Sequence, residues 1–323
     1  MVMTRHTITR RALLASAPLG SLALTRCSYL TGRSTLPRVS IIRAPAYTQE
    51  LFGIVRRLLV DHRVDVRGKR VVLKPNLVEF DPGTTINTHP ILVHAALEAF
   101  RSMGAADVRI AEGPGHRRVT LDLAEAAGYF ETIPHFENLF TDLNLDDVSQ
   151  VLLENPFSRL NSIYFPNTAL AADLIVSMPK MKTHHWVGAT LSMKNFFGLA
   201  PGSVYGWPKN VLHWAGIEEC IVDFHAAFPR HFAIVDGIVG MEGNGPIQGN
   251  PRQAGVLVAG KDMVAVDATC CRVMKINPQA IRYLRLASAP GRLDEANIHQ
   301  TGESINSVRT PFELIEQFQS IRL

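Results

Sequence analysis

Cysteine is scarce in this chain, with four in 323 residues. None of them (Cys27, Cys220, Cys270, Cys271) stands in a C-x-x-C pair. That spacing argues against a zinc ribbon, a thioredoxin-type redox pair or a ferredoxin-type iron–sulfur cluster held by this chain. Cys270-Cys271 lies in an apolar run read as a buried helix, and Cys220 is a pairing candidate for either in an oxidising compartment. No G-x-G-x-x-G follows a strand, so dinucleotide binding has no support. No lysine–arginine stripe interleaved with aromatics appears, and part of the net charge of +4 comes from N-terminal arginines, so nucleic acid is not an expected partner. Charged residues are sparse at 19% against 46% hydrophobic, which argues against disorder and for a sizeable core. Long apolar runs are missing as well. Residues 12–24, ALLASAPLGSLAL, are too few and too weakly hydrophobic to span a bilayer, and no later stretch is apolar for long enough.

That N-terminal stretch reads instead as an address. Thr9-Arg10-Arg11-Ala12-Leu13-Leu14 fits a twin-arginine pattern, and Ser21-Leu22-Ala23 is a usable small-residue cleavage site. Residues 1–30 are therefore read as a signal engaging the twin-arginine export machinery, with a periplasmic or other extracytoplasmic destination. The competing readings are an ordinary signal peptide with two arginines by chance, or an amphipathic N-terminus. Cys27 is a candidate for lipid modification, which Arg26 directly before it disfavours.

From residue 38 onward, short runs that are apolar throughout alternate with segments of helical spacing. Arg38–Ile42, Arg70–Leu73, Asp107–Ala111, Leu174–Val176, His231–Val235 and Gly255–Ala259 read as buried strands. Glu50–His62, Pro90–Met103, Leu121–Ala127, Ile217–Phe228 and residues 262–273 read as helices, with terminal helices over 278–288 and 311–318. This alternation predicts an α/β fold: a mainly parallel sheet with helices on both faces, layered like a Rossmann fold without its dinucleotide fingerprint. Residues 38–323 are read as a single domain, with two lobes as an open alternative.

The chemistry concentrates in DLIVSMPKMKTHHWVGATLSMKNFFGL, residues 173–199. A strand closed by Pro179 is followed at once by Lys180, Lys182, Thr183, His184, His185, Lys194 and Asn195. In open α/β sheets ligands bind just past the carboxyl ends of strands. Three ammonium groups this close repel one another unless an anion sits among them, and their crowding lowers the pKa of a candidate base or nucleophile. The competing reading is a solvated basic loop, but Met178, Met181, Trp186 and Phe196-Phe197 interrupt the charges as in a lined pocket. Lys74-Pro75-Asn76 repeats the pattern after an earlier strand. Glu112 opens the glycine loop Gly113-Pro114-Gly115 and is a natural counter-charge for Lys74. Asp236, Glu242 with Asn244 in the loop Gly243–Pro246, and Asp267 complete the carboxylate supply; these groups either move protons, hold a divalent ion, or only neutralise lysines. Residues 201–213, rich in glycine, proline and aromatics, read as a lid. The expectation is one cleft shared by Lys74, Lys180, Lys182 and Glu242, in which Lys180→Ala weakens anion binding and leaves stability alone, whereas Leu174→Ala opens a core cavity.

PKMKTHHWVGATLSMKNFFGL closely resembles the signature of the domain of unknown function 362 family. VVLKPNLV at 71–78, Thr88-His89-Pro90, AEGPG at 111–115, DGIVGMEGNGP at 236–246 and DMVAVDA at 262–268 follow in the family's order. The resemblance covers about residues 39–300 and implies little about chemistry, since the family's is largely unassigned; many of its members resemble fusions to ferredoxin-type modules, which this chain lacks. On these grounds the expected catalytic set is Lys180, Lys182, Lys194 and Glu242. The expected substrate-binding set is Lys74, Asn76, His89, Thr183, His184, Asn195 and Asn244, and the candidate metal ligands are Glu112, Asp236 and Asp267. The expected partner is an anionic small molecule. The leading reaction class is proton abstraction beside a carboxylate, of epimerase or lyase type. A non-catalytic binding protein and a redox accessory with a separate iron–sulfur partner are the alternatives.

Overall fold

A computed structural model describes residues 36–116 and 119–323. The arginine pair, the cleavage site and Cys27 lie outside the described residues. Leu36–Leu323 forms one unit. Its strands are β1 (Arg38–Arg43), β2 (Arg70–Pro75), β3 (Asp107–Glu112), β4 (Phe140–Asp142), β5 (Val148–Leu152), β6 (Ser162–Pro166), β7 (Leu174–Met178), β8 (Lys180–His184), β9 (Gly188–Thr190), β10 (His231–Glu242), β11 (Asn250–Gly260) and β12 (His299–Gly302).

The apolar runs become strands because both faces of the sheet are covered. Along β7, Leu174, Val176 and Met178 enter one core and Ile175 enters the other. On β10, Phe232 and Ile234 alternate with Ala233 and Val235 in the same way. The first core is closed by helices Glu50–Asp61 and Pro90–Ser102, the second by helices Asn210–Ala227 and Met263–Val273. Each large side chain so buried contributes about 1.5–3 kcal/mol.

The sheet order is β12-β1-β11-β10-β7-β2-β3-β4, with β8 and β9 continuing beside β10, and β5–β6 form a separate antiparallel pair. Most neighbours are parallel, as the α/β pattern predicts. The exceptions are β11, antiparallel to both β10 and β1, and the short β9, antiparallel to β8. The connection after Glu242 reaches Asn250 too soon for a crossover, so only a hairpin is available. The terminal helices are shorter than expected: Arg282–Leu286 is helical, residues 278–280 and 316–321 are 3₁₀ turns, and residues 309–315 are not helical. Segments this short do not sustain an α-helix alone.

Pro179 divides what is otherwise one long strand path along β10. Ser177 stands opposite Ala233 and Lys180 opposite Asp236, while the Asp236 amide donates to the Pro179 carbonyl at 2.8 Å. This places the carboxyl ends of β2, β3 and β7 side by side, with β8 and β9 rising beyond them. Cys220, Cys270 and Cys271 are buried and unpaired.

Candidate functional site

Beyond these strand ends lies a cleft of about 390 Å³. Its inner wall comes from the sheet. Lys74 at the end of β2 and Glu112 at the end of β3 are both buried and form an ion pair at 2.7 Å. Glu112 also accepts from the amides of Gly113, at 2.8 Å, and Leu77, at 3.3 Å. Asn195 ties this pair to the neighbouring strand, donating to the Lys74 carbonyl at 3.0 Å and the Ser177 hydroxyl at 3.1 Å. Gly198 closes over the pair so tightly that a Cβ there would collide with Glu112 Oε1 and Lys74 Nζ.

Three further lysines line the cleft, and none has a carboxylate within ion-pair distance among the described residues. Lys182 is buried and donates to the carbonyls of Ile86, at 2.9 Å, and Pro246, at 3.1 Å. Lys209 is buried and donates to the carbonyls of Gly113, at 2.8 Å, and Phe197, at 3.1 Å. Lys194 has no hydrogen-bond acceptor among the described residues; its Nζ stands 4.0 Å from the centroid of the Phe197 ring. Glu112 is the one carboxylate among the described residues lining the cleft, and Lys74 already occupies it. Burial, reinforced by the Lys180 and Lys194 charges, pushes Lys182 well below the usual lysine range. Burial also brings Lys194 down to about 7, with Lys74 adding repulsion, and Lys209 to about 7 against the opposing pull of Glu112.

The outer wall is imidazole and aromatic. His184, His185, Trp186, Phe197, His116 and His213 line it. Burial, then the charge of Lys194, lowers His184 well below the ordinary range and His213 to about 4, so both are neutral near pH 7. The Trp186 ring meets His213 edge to face with centroids 4.8 Å apart. Four buried polar atoms of lining residues have no partner among the described residues: Asn76 Oδ1, Thr190 Oγ1, His116 Nδ1 and His213 Nδ1. Asn76 and Thr190 are themselves only 7% and 4% exposed. Buried polar groups are usually hydrogen-bonded, so these atoms suit a polar ligand in the cleft.

The structure brings Lys74, Asn76, Glu112, Lys182, His184, Lys194, Asn195 and Asn244 to this one cleft. The other expected residues lie elsewhere, and the single-cleft expectation is corrected for them. Lys180 is fully buried in a separate network: its Nζ donates to Asp236 at 2.7 Å and to the Tyr47 hydroxyl at 2.9 Å. Tyr47 donates in turn to Asp236 at 2.9 Å and stacks on His89 at 3.7 Å. The His89 ring caps helix Pro90–Ser102 by accepting from the Ile91 amide at 3.2 Å. Glu242 turns away from the cleft toward the Glu313 amide, at 2.8 Å, and Arg252, at 3.5 Å. The Thr183 hydroxyl donates to the Gly243 carbonyl at 2.8 Å. Asp267 accepts from the amides of Ser192, at 2.8 Å, and Met193, at 3.0 Å, anchoring the single-turn helix Ser192–Asn195 that carries Lys194. Burial raises that carboxyl to about 7. The three candidate metal ligands are thus spent in three places, and no group of three or more His, Cys, Asp or Glu able to hold a metal ion occurs among the described residues.

Lys209 and His213 are the residues that sequence reasoning missed. They belong to the segment read as a lid, and Pro208-Lys209 repeats the proline–lysine pairing of Lys74-Pro75 and Pro179-Lys180. That repetition was the available signal.

A family model described as a domain of unknown function, DUF362, matches residues 71–272. A thylakoid-associated protein of Synechocystis sp. is 29% identical over 223 residues, which is 66% of this chain and 65% of that protein. Among solved structures, the lactate racemase apoprotein from Thermoanaerobacterium thermosaccharolyticum aligns with a TM-score of 0.47 at 14% identity, covering 74% of this chain and 57% of its own. A crystal structure of a Thermotoga maritima protein aligns with a TM-score of 0.39 at 12% identity, covering 76% and 59%. This chain therefore spans less than two thirds of the length of each of these relatives.

Proposed function

The chain belongs to the domain of unknown function 362 family, and from that premise we propose that its cleft binds an anionic small molecule and carries out proton transfer on it. The observation that carries this reading is the lining among the described residues: four lysines, and one carboxylate already paired with Lys74. Bringing three ammonium groups together without counter-ions is unfavourable in a low-dielectric site, and a carboxylate or phosphate relieves it. An anion also supplies acceptors for Lys194 and for the remaining donor capacity of Lys182 and Lys209.

Lysines held near neutrality are partly free amines at pH 7, as a general base requires. Their protonated neighbours stabilise negative charge developing beside a substrate carboxylate. Epimerase- or lyase-type proton abstraction uses both properties. The neutral imidazoles of His184 and His213 can donate or accept a hydrogen bond there without adding charge. The twin-arginine pattern in residues 1–30 supports an exported site of action.

Thermal unfolding with orthophosphate, simple carboxylates and neutral analogues tests the binding. Anions should raise the midpoint. Lys182→Ala should weaken anion affinity by about 10- to 100-fold, the loss of one charge-assisted contact of about 1.5–3 kcal/mol. Equal response to neutral and anionic compounds overturns the reading.

A further inference from the structure

The four cleft lysines are not equivalent. Lys74 is held by Glu112, Lys182 by the Ile86 and Pro246 carbonyls, and Lys209 by the Gly113 and Phe197 carbonyls. Their amines are held in place, with one donor of Lys182 and one of Lys209 left over for a ligand. Lys194 differs in three respects. It has no hydrogen-bond acceptor among the described residues. It is less enclosed than the other three, which are almost fully buried. It also projects from a rigid support, because Asp267 pins the first turn of its helix and Asn195 is tied to Lys74 and Ser177.

Building on the reading of the cleft as an anion site, we propose that Lys194 is a nucleophile that forms an imine with a 2-oxo acid. The substrate carboxylate lies among the ammonium groups of Lys182 and Lys209, which brings the adjacent carbonyl carbon to the unengaged amine. The Lys194 nitrogen lone pair attacks that carbon and the carbonyl oxygen takes up a proton, giving a carbinolamine. Loss of water, made from that oxygen and protons including those shed by the amine, leaves the C=N bond. No oxidant or reductant is consumed. The resulting iminium, whose carbon also bears the carboxylate, is an electron sink for proton abstraction or bond cleavage at the next carbon. An amine near pH 7 in its free-base balance, and an aromatic face at 4.0 Å from its Nζ, suit the reaction.

Borohydride trapping of the full chain tests this, with pyruvate as the carbonyl probe and propionate as a carboxylate of equal length that lacks the carbonyl. Intact mass should increase by one reduced pyruvyl group, peptide mapping should place it on Lys194, and excess propionate should slow the labelling. Lys194→Arg should abolish the label while its melting curve stays cooperative; the mapping on the unaltered chain stands even if that variant does not fold. A label confined to Lys182 or Lys209, or scattered over exposed lysines at similar rates, overturns the assignment. If propionate stabilises the protein and no label forms, the imine is wrong and the anion site stands. If neither stabilisation nor labelling occurs, both readings fall.

Discussion

At the scale of single residues, the cleft is defined by what its lysines lack. Lys194 and Lys209 titrate near 7 when folded and near 10.5 when unfolded. Between those values the unfolded chain binds more protons than the folded one, so stability should rise as pH climbs from about 7 toward 10.5. Below 7 both states are protonated, and the folded state bears the full cost of burying the charge. Melting midpoints across this window should therefore increase in low-salt buffer, and the increase should shrink in Lys209→Met. A saturating anion should reverse the trend, because it favours the ammonium form; proton uptake on binding at pH 8, measured by calorimetry in buffers of different ionisation enthalpy, checks that linkage. Gly198→Ala should disrupt the Lys74–Glu112 pair directly, since its methyl would occupy the space of both partners. Unpairing a buried ion pair costs about 3–5 kcal/mol, and chemical denaturation should show it. The crowding of Lys180, Lys182, His184 and Lys194 past a strand was legible in the sequence. So was Glu112 as the counter-charge of Lys74, which the ion pair bears out. That Asp236 takes Lys180 rather than Lys182 or Lys194 was not, because the register of β8 against β10 decides it.

Elements decide which lysine goes where. Lys180 and Lys182 share a face of β8, yet the register that sets Asp236 opposite Lys180 captures the first in a closed network with Tyr47. The expectation that Lys180→Ala leaves stability unchanged fails for this reason. Its removal strands a fully buried Asp236, and the loss should be about 3–5 kcal/mol by denaturant titration. Lys180→Met with Asp236→Leu should recover much of that loss, as replacing both partners by apolar groups is often near neutral. Neither variant should change anion preference, because Lys180 is not among the residues lining the cleft. Leu174→Ala, in the core beneath, should cost about 2–5 kcal/mol with the anion response intact. Strands β1, β2, β3, β7, β10 and β11 were readable from apolar runs, whereas β8, β9 and β12 were not, being polar or only three or four residues long. Strand direction at β11 was not readable either, since hydrophobic pattern carries no sign of polarity along the sheet.

Over the whole molecule, alternation of strand and helix was enough to give a layered α/β architecture with a core on each face, whereas the placing of Pro208, Lys209 and His213 in the cleft lining required long-range packing that no local pattern records. Because Leu36–Leu323 holds both cores, a chain beginning at Leu36 should melt at the same temperature as the full chain and respond equally to anions. Export should depend on the missing part alone: Arg10→Lys with Arg11→Lys should leave the full chain in the cytoplasm, and fractionation that still finds it outside would refute the twin-arginine proposal. The molecule has three tryptophans, and all fall between residues 186 and 214. Trp186 lines the cleft at 56% exposure, Trp207 packs on Gly202 beside the lining residue Pro208, and Trp214, 75% exposed, follows the lining residue His213. The intrinsic ultraviolet fluorescence of this protein is consequently a local optical signal rather than a global one. Emission from unlabelled protein should report occupancy of the cleft, and in denaturant it should report the opening of that rim, which circular dichroism of the sheet is free to follow or to lag.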